Sequence, residues 1–135
     1  MTTWQPGMVI TAARLNDGLD PTEITTGVTA ATNYSVSQFV ARRVGDEVYV
    51  NLLITKTGGT LAADSNTENI VGDPTIATLP AGWWPSEAVG AAWDNGIVNG
   101  QCVISTSGTV DLRTISYNQS VANSTNIRVT ASYTL

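Results

Sequence analysis

The chain alternates from Tyr34 to its last residue, and before Tyr34 it does not. In Glu47 to Lys56, Val48, Val50, Leu52 and Ile54 share one face of an extended chain, and Tyr49, Asn51, Leu53 and Thr55 share the other. That is the period of two followed by side chains along a strand. Ile127, Val129, Ala131, Tyr133 and Leu135 alternate with Arg128, Thr130, Ser132 and Thr134, which predicts a strand with one buried and one solvated face. Gln38 to Arg43 predicts another, and Gly45-Asp46 between Val44 and Glu47 predicts a tight hairpin turn.

The middle of the chain is punctuated more often. Thr57 to Thr60 and Ala63 to Thr67 carry loop chemistry, and Pro74 and Pro80 bracket Thr75 to Leu79, so a strand there is short or lies at an edge. Glu87 to Trp93 and Ile97 to Ser105 flank Asp94-Asn95-Gly96, a strong hairpin signal. The second Asn-Gly pair, Asn99-Gly100, follows too closely for a second hairpin, so Gly100 is expected at a bulge or in a loop. Ser105 to Gly108 turns the chain into a strand over Thr109 to Arg113, and Tyr117 to Thr125 is polar and loop-like. Seven to nine short strands at this spacing predict an all-β fold, an antiparallel β-sandwich of jelly-roll-like form over residues 34–135.

Residues 1–33 show neither period. Pro6, Gly7, Gly18, Pro21 and Gly27 interrupt them, with room for one helical turn over Thr11 to Asn16. Trp4, Met8, Ile10 and Leu15 are too many apolar side chains for so short a segment to bury, so it is expected to be a docking segment that finds an outside partner.

Composition narrows the function. β-branched residues make up about a third of the chain, which suits strands. There is no histidine and one cysteine, Cys102, which removes His-based acid–base catalysis, triads and the usual zinc, copper and haem ligands. Cys102 sits in an apolar run and reads as a small buried hydrophobe. Neither cofactor nor metal is expected: the eleven acidic residues are scattered, mostly at turns, and the loop from Asp64 to Asp73 lacks the spacing of a calcium loop. A net charge of −5 argues against binding nucleic acid, and the absence of a long apolar run argues against membrane insertion. Charged residues are only 13% of the chain, so its surface is made of Thr, Ser, Asn and Gly, as suits packing against copies of itself or contact with hydroxyl-rich glycans. For such a ligand the candidates are Trp83 and Trp84, between Gly82 and Pro85, and Trp93 beside Asp94 and Asn95. Indole rings near loop tips stack on sugars while amides and carboxylates bond the hydroxyls. The competing reading makes these tryptophans core or interface residues, with one of the adjacent pair buried and the other exposed.

The string Trp4-Gln5-Pro6-Gly7-Met8-Val9-Ile10-Thr11-Ala12-Ala13-Arg14-Leu15-Asn16 resembles the attachment segment that opens tail proteins of bacteriophages and prophages. Arg43 to Val48, Leu79-Pro80-Ala81-Gly82-Trp83-Trp84-Pro85 and Gly108-Thr109-Val110-Asp111-Leu112 are similar to motifs of the terminal β-sandwich of tail fibres and minor tail proteins. The resemblance implies a homotrimer made in the host cytoplasm and built into the virion, docked to other tail proteins through residues 1–33 and binding a bacterial surface glycan without chemistry. Its departure is length, because only residues 17–33 stand where many fibres have a long shaft, so a short tip protein is expected. The alternatives are a virion decoration or tail-adaptor protein, and a free bacterial carbohydrate-binding module.

Overall fold

A computed structural model describes residue 3, residues 5–13 and residues 20–135. Ala12 and Ala13 are helical; the remainder of the expected helical turn, from Arg14, lies outside the described residues. Nine strands follow: β1 (Thr22–Ile24), β2 (Thr29–Ala30), β3 (Tyr34–Val44), β4 (Glu47–Lys56), β5 (Thr75–Thr78), β6 (Val89–Asp94), β7 (Asn99–Ile104), β8 (Thr109–Leu112) and β9 (Asn126–Thr134). The fold is all-β, as the alternation predicts.

All nine belong to one antiparallel sheet in the order β1-β3-β4-β9-β6-β7-β8-β5-β2. The hydrogen bonding therefore runs as one continuous ladder, curled on itself into a half-barrel. Only residues 31–33 join β2, at the last edge, to β3, next to the first edge, so the two ends of the ladder come together. Inside the curl lie the alternate residues of the long strands, among them Val48, Val50, Leu52 and Ile54 of β4 and Ile127, Val129, Ala131 and Tyr133 of β9. Burial of a Val, Leu or Ile side chain contributes about 1.5–3 kcal/mol, so these two strands supply much of the stabilisation.

β1 pairs with Ala41 to Arg43 of β3, and β2 pairs with Ala77 and Thr78 of β5. The sheet thus begins at Thr22, within the stretch that the sequence sets apart as a docking segment. Strands of three and two residues are too short to show a period, and that is why the pattern misses them.

The hairpin turn at Gly45-Asp46 is as expected, with Gly45 at φ 60°, the left-handed first position that a type II′ turn requires. The β6–β7 turn differs from a two-residue Asn-Gly loop. Asp94 pairs with Asn99 across four residues, Asn95 to Val98, and the Asn95 side-chain oxygen accepts hydrogen bonds from the backbone N–H groups of Ile97 and Val98. Gly100 is neither bulged nor in a loop; it sits in regular register opposite Trp93. A Cβ there would stand 1.8 Å from the Thr114 carbonyl oxygen, so glycine is demanded by the close approach of another backbone.

Candidate functional site

The structure packs Trp83, Trp84 and Trp93 against the core to different depths. Trp93 is 1% exposed on the inner face of β6, and its indole N–H donates to the Thr114 carbonyl at 3.0 Å. Trp84 is half-buried, donates to the Leu79 carbonyl at 2.8 Å, and presses its ring into the space that a side chain at residue 108 would need. Trp83 is also half-buried against the core; it follows a turn in which its N–H bonds the Pro80 carbonyl and Gly82 takes φ 84°. Its own carbonyl accepts the Tyr133 hydroxyl. The adjacent pair is therefore not split into one buried and one exposed ring. Trp93, covered and with its indole N–H committed, offers no face for stacking on a sugar, while Trp83 and Trp84 keep part of their surface exposed.

Asp94 and Asn95 are likewise engaged in building the turn. Asp94 accepts from the Gly96 N–H and pairs with Arg128 at 3.2 Å. Of the proposed docking residues, Trp4 and Leu15 lie outside the described residues. Met8 is half-buried in a turn where its N–H bonds the Gln5 carbonyl and Gly7 takes φ 83°, and Ile10 is 67% exposed.

Cys102 is buried on the inner face of β7, and burial, with a smaller contribution from the charge of Asp111, pushes its thiol up to about 12. A thiol held protonated is a packing group, because the thiolate is the nucleophile. Burial raises Tyr133 to about 12 and raises Tyr34 as well. Among the described residues no group of three or more Cys, Asp or Glu side chains gathers where it could hold a metal, and no helix is long and apolar enough to cross a membrane.

Among the described residues lie three open troughs. The widest, about 620 Å³, is bordered by Glu47, Ser86, Glu87 and Thr134, where β6 diverges from the end of β9. Two of its hydroxyls are already used, since Ser86 donates to the Thr134 carbonyl and Tyr133 to that of Trp83, and its lining presents no exposed aromatic face. The second, about 340 Å³, lies over β7 and the segment after β8, between Asn99, Gln101, Glu68 and Tyr117. A third, about 310 Å³, continues on the far side of Gln101 over Gly90 and Ala92 of β6.

No known protein family's sequence profile matches the chain, and no curated protein is significantly similar to it. The local geometry therefore has to carry the functional argument. In β7, Gly100, Cys102 and Ile104 turn inward while Asn99 and Gln101 turn outward. This alternation is present in the sequence and could have marked the two amides as surface groups. Tyr117 and Glu68 carry no such signal, because they stand in loops whose conformation depends on partners distant in the chain.

Proposed function

We propose that the chain is a non-catalytic receptor-binding subunit of a phage tail tip that recognises bacterial cell-surface carbohydrate. The single observation that carries this reading is the chemistry of the outward sheet face. In register across β4, β9, β6 and β7, Asn51, Thr130, Ala92 and Gln101 form one row, and Leu53, Arg128, Asp94 and Asn99 the next. Half of these eight side chains are hydroxyls or amides, and the one charge pair among them, Arg128 with Asp94, is internally neutralised. Such a surface exchanges hydrogen bonds with sugar hydroxyls at little desolvation cost, and it gives phosphate backbones no cationic track. A binding role without chemistry is supported by the lack of histidine and by a buried, protonated thiol.

The test is retention of the purified full chain on an array of bacterial polysaccharides, before and after periodate cleavage of the sugars. Retention that periodate abolishes is the expected result; no retention on any polysaccharide overturns the carbohydrate reading.

A structural virion subunit, whether decoration or tail adaptor, is the second reading, and one observation favours it. Val9 and Ile10 are 71% and 67% exposed next to each other in the N-terminal stretch, an apolar step suited to contact with a larger particle. Deleting residues 1–20 would then prevent incorporation into particles. The homotrimer is part of the first proposal, and a monomer by light scattering at micromolar concentration would remove it.

A further inference from the structure

We infer that the two troughs sharing Gln101 form one groove that binds a neutral oligosaccharide lying across β6 and β7, with Tyr117 as the stacking platform at one end. This inference rests on the carbohydrate reading and assigns its site. The troughs, about 340 and 310 Å³, both include Gln101 in their walls, so together they make an elongated depression. Its shallow end is floored by Gly90 and Ala92, both exposed; a Cβ placed on Gly90 meets nothing within 4 Å, so the depression comes from absent side chains. At the other end Tyr117 is 54% exposed in a wall of this groove, whereas Tyr133, the aromatic of the widest trough, is buried.

Hydrogen-bonding capacity is left over here. The side chains of Glu68, Asn99 and Gln101 make no hydrogen bond or ion pair with any described residue, whereas the backbone N–H and carbonyl groups of Asn99 and Gln101 are engaged. The Asn99 and Gln101 N–H groups donate to the hydroxyl oxygens of Ser116 and Thr114, and the carbonyls of the same two residues accept from Ser116 and from Arg113 and Thr114. With β6 on its other side, β7 has no free edge to which a peptide could add as a strand, so recognition falls to side chains. Two amides two residues apart on one strand stand about 6.5–7 Å from each other, within the span of one hexose and its linkage. Glu68 is the one charge in the groove, which disfavours polyanions and leaves a neutral polyol.

The experiment titrates the ¹⁵N-labelled full chain with a neutral oligosaccharide released from the polysaccharide it retains, followed by the side-chain amide resonances of Asn99 and Gln101. Both are expected to shift, Tyr117→Ala to weaken binding about tenfold, and Ala92→Trp, which fills the exposed floor, to abolish it with the fold intact by circular dichroism. Undiminished binding by folded Tyr117→Ala and Ala92→Trp overturns the groove while leaving the carbohydrate reading standing. Retention only of polyanionic polymers, or of peptides, overturns it as well.

Discussion

The β3–β4–β9 ladder and the loop end of the molecule hold their cores by different means. In the ladder, nine consecutive residues of β4 pair in register with β9, β3 pairs along the other side of β4 with one slip between Val36 and Gln38, and burial follows every second position of β4 and β9. At the loop end, Leu61, Ile70, Ile115 and Val121 are equally buried, yet they stand in segments linked only by single bridges such as Ala62 with Ser120 and Asn69 with Thr114. These segments brace one another backbone to backbone, Val121 to Leu61 and Ile115 to Glu68, each at 2.8 Å. Lys56, buried at the end of β4, ties the two regions together by donating to the Gly59 carbonyl and to the Asn123 side chain. Trp93 is a second tie, rooted in β6 and bonded to Thr114. A regular ladder tolerates local change because many equivalent bonds share the load, whereas a braced loop depends on a few particular ones.

The sharpest way to break this contrast is at the ties. Trp93→Ala removes the largest buried side chain and leaves the Thr114 carbonyl without its donor; a loss of about 4 kcal/mol in urea unfolding is expected. Next, Leu52→Ala in the ladder is expected to cost about 3–4 kcal/mol and Leu61→Ala in the loops about 2, because loops close around a cavity better than a paired sheet does. Equal losses would show that the loop end is as rigid as the ladder. Asn123→Ala strips one of two acceptors from a buried ammonium and is expected to cost about 2 kcal/mol, while Lys56→Met, which removes the charge as well, costs less. The smallest effect near neutrality is that of pH. Cys102 and Tyr133 are raised in the folded chain from 9.0 and 10.0 to about 12, so their contribution is complete below pH 9. It declines between about pH 9 and 12, as the unfolded chain ionises first. Thermal melts from pH 7 to 11 should be flat and then fall, and Cys102→Ala should delay the start of the fall toward pH 10.

The ladder was legible in the sequence because alternation is a local property: Val48 to Ile54 and Ile127 to Tyr133 announce their buried face without reference to any partner. The turn at Gly45-Asp46 was legible for the same reason. β1 and β2 were not, since three and two residues carry no period and gain their state from β3 and β5. At the candidate site, the tryptophans drew attention as residue types, but type does not reveal that an indole N–H has a carbonyl waiting inside the curl. Gly100 shows the same limit, because its role is set by Thr114, fourteen residues further along. The amides of Asn99 and Gln101 could be placed outward from pattern alone; that Tyr117 stands beside them follows only from the fold.

The β3 edge has a consequence for aggregation. β1 covers only Ala41 to Arg43, and no strand among the described residues pairs with the outer side of Tyr34 to Val40, so a stretch of ladder is left open to recruitment by another chain. Within that stretch the register slips between Val36 and Gln38, and the displaced Ser37 hydrogen-bonds Thr55 instead. A bulge there twists the backbone out of line, and a strand arriving from outside finds no continuous row of donors and acceptors to match. Straightening the edge by deleting Ser37 would therefore favour fibre growth in a chain whose low charge gives it little other protection from its neighbours.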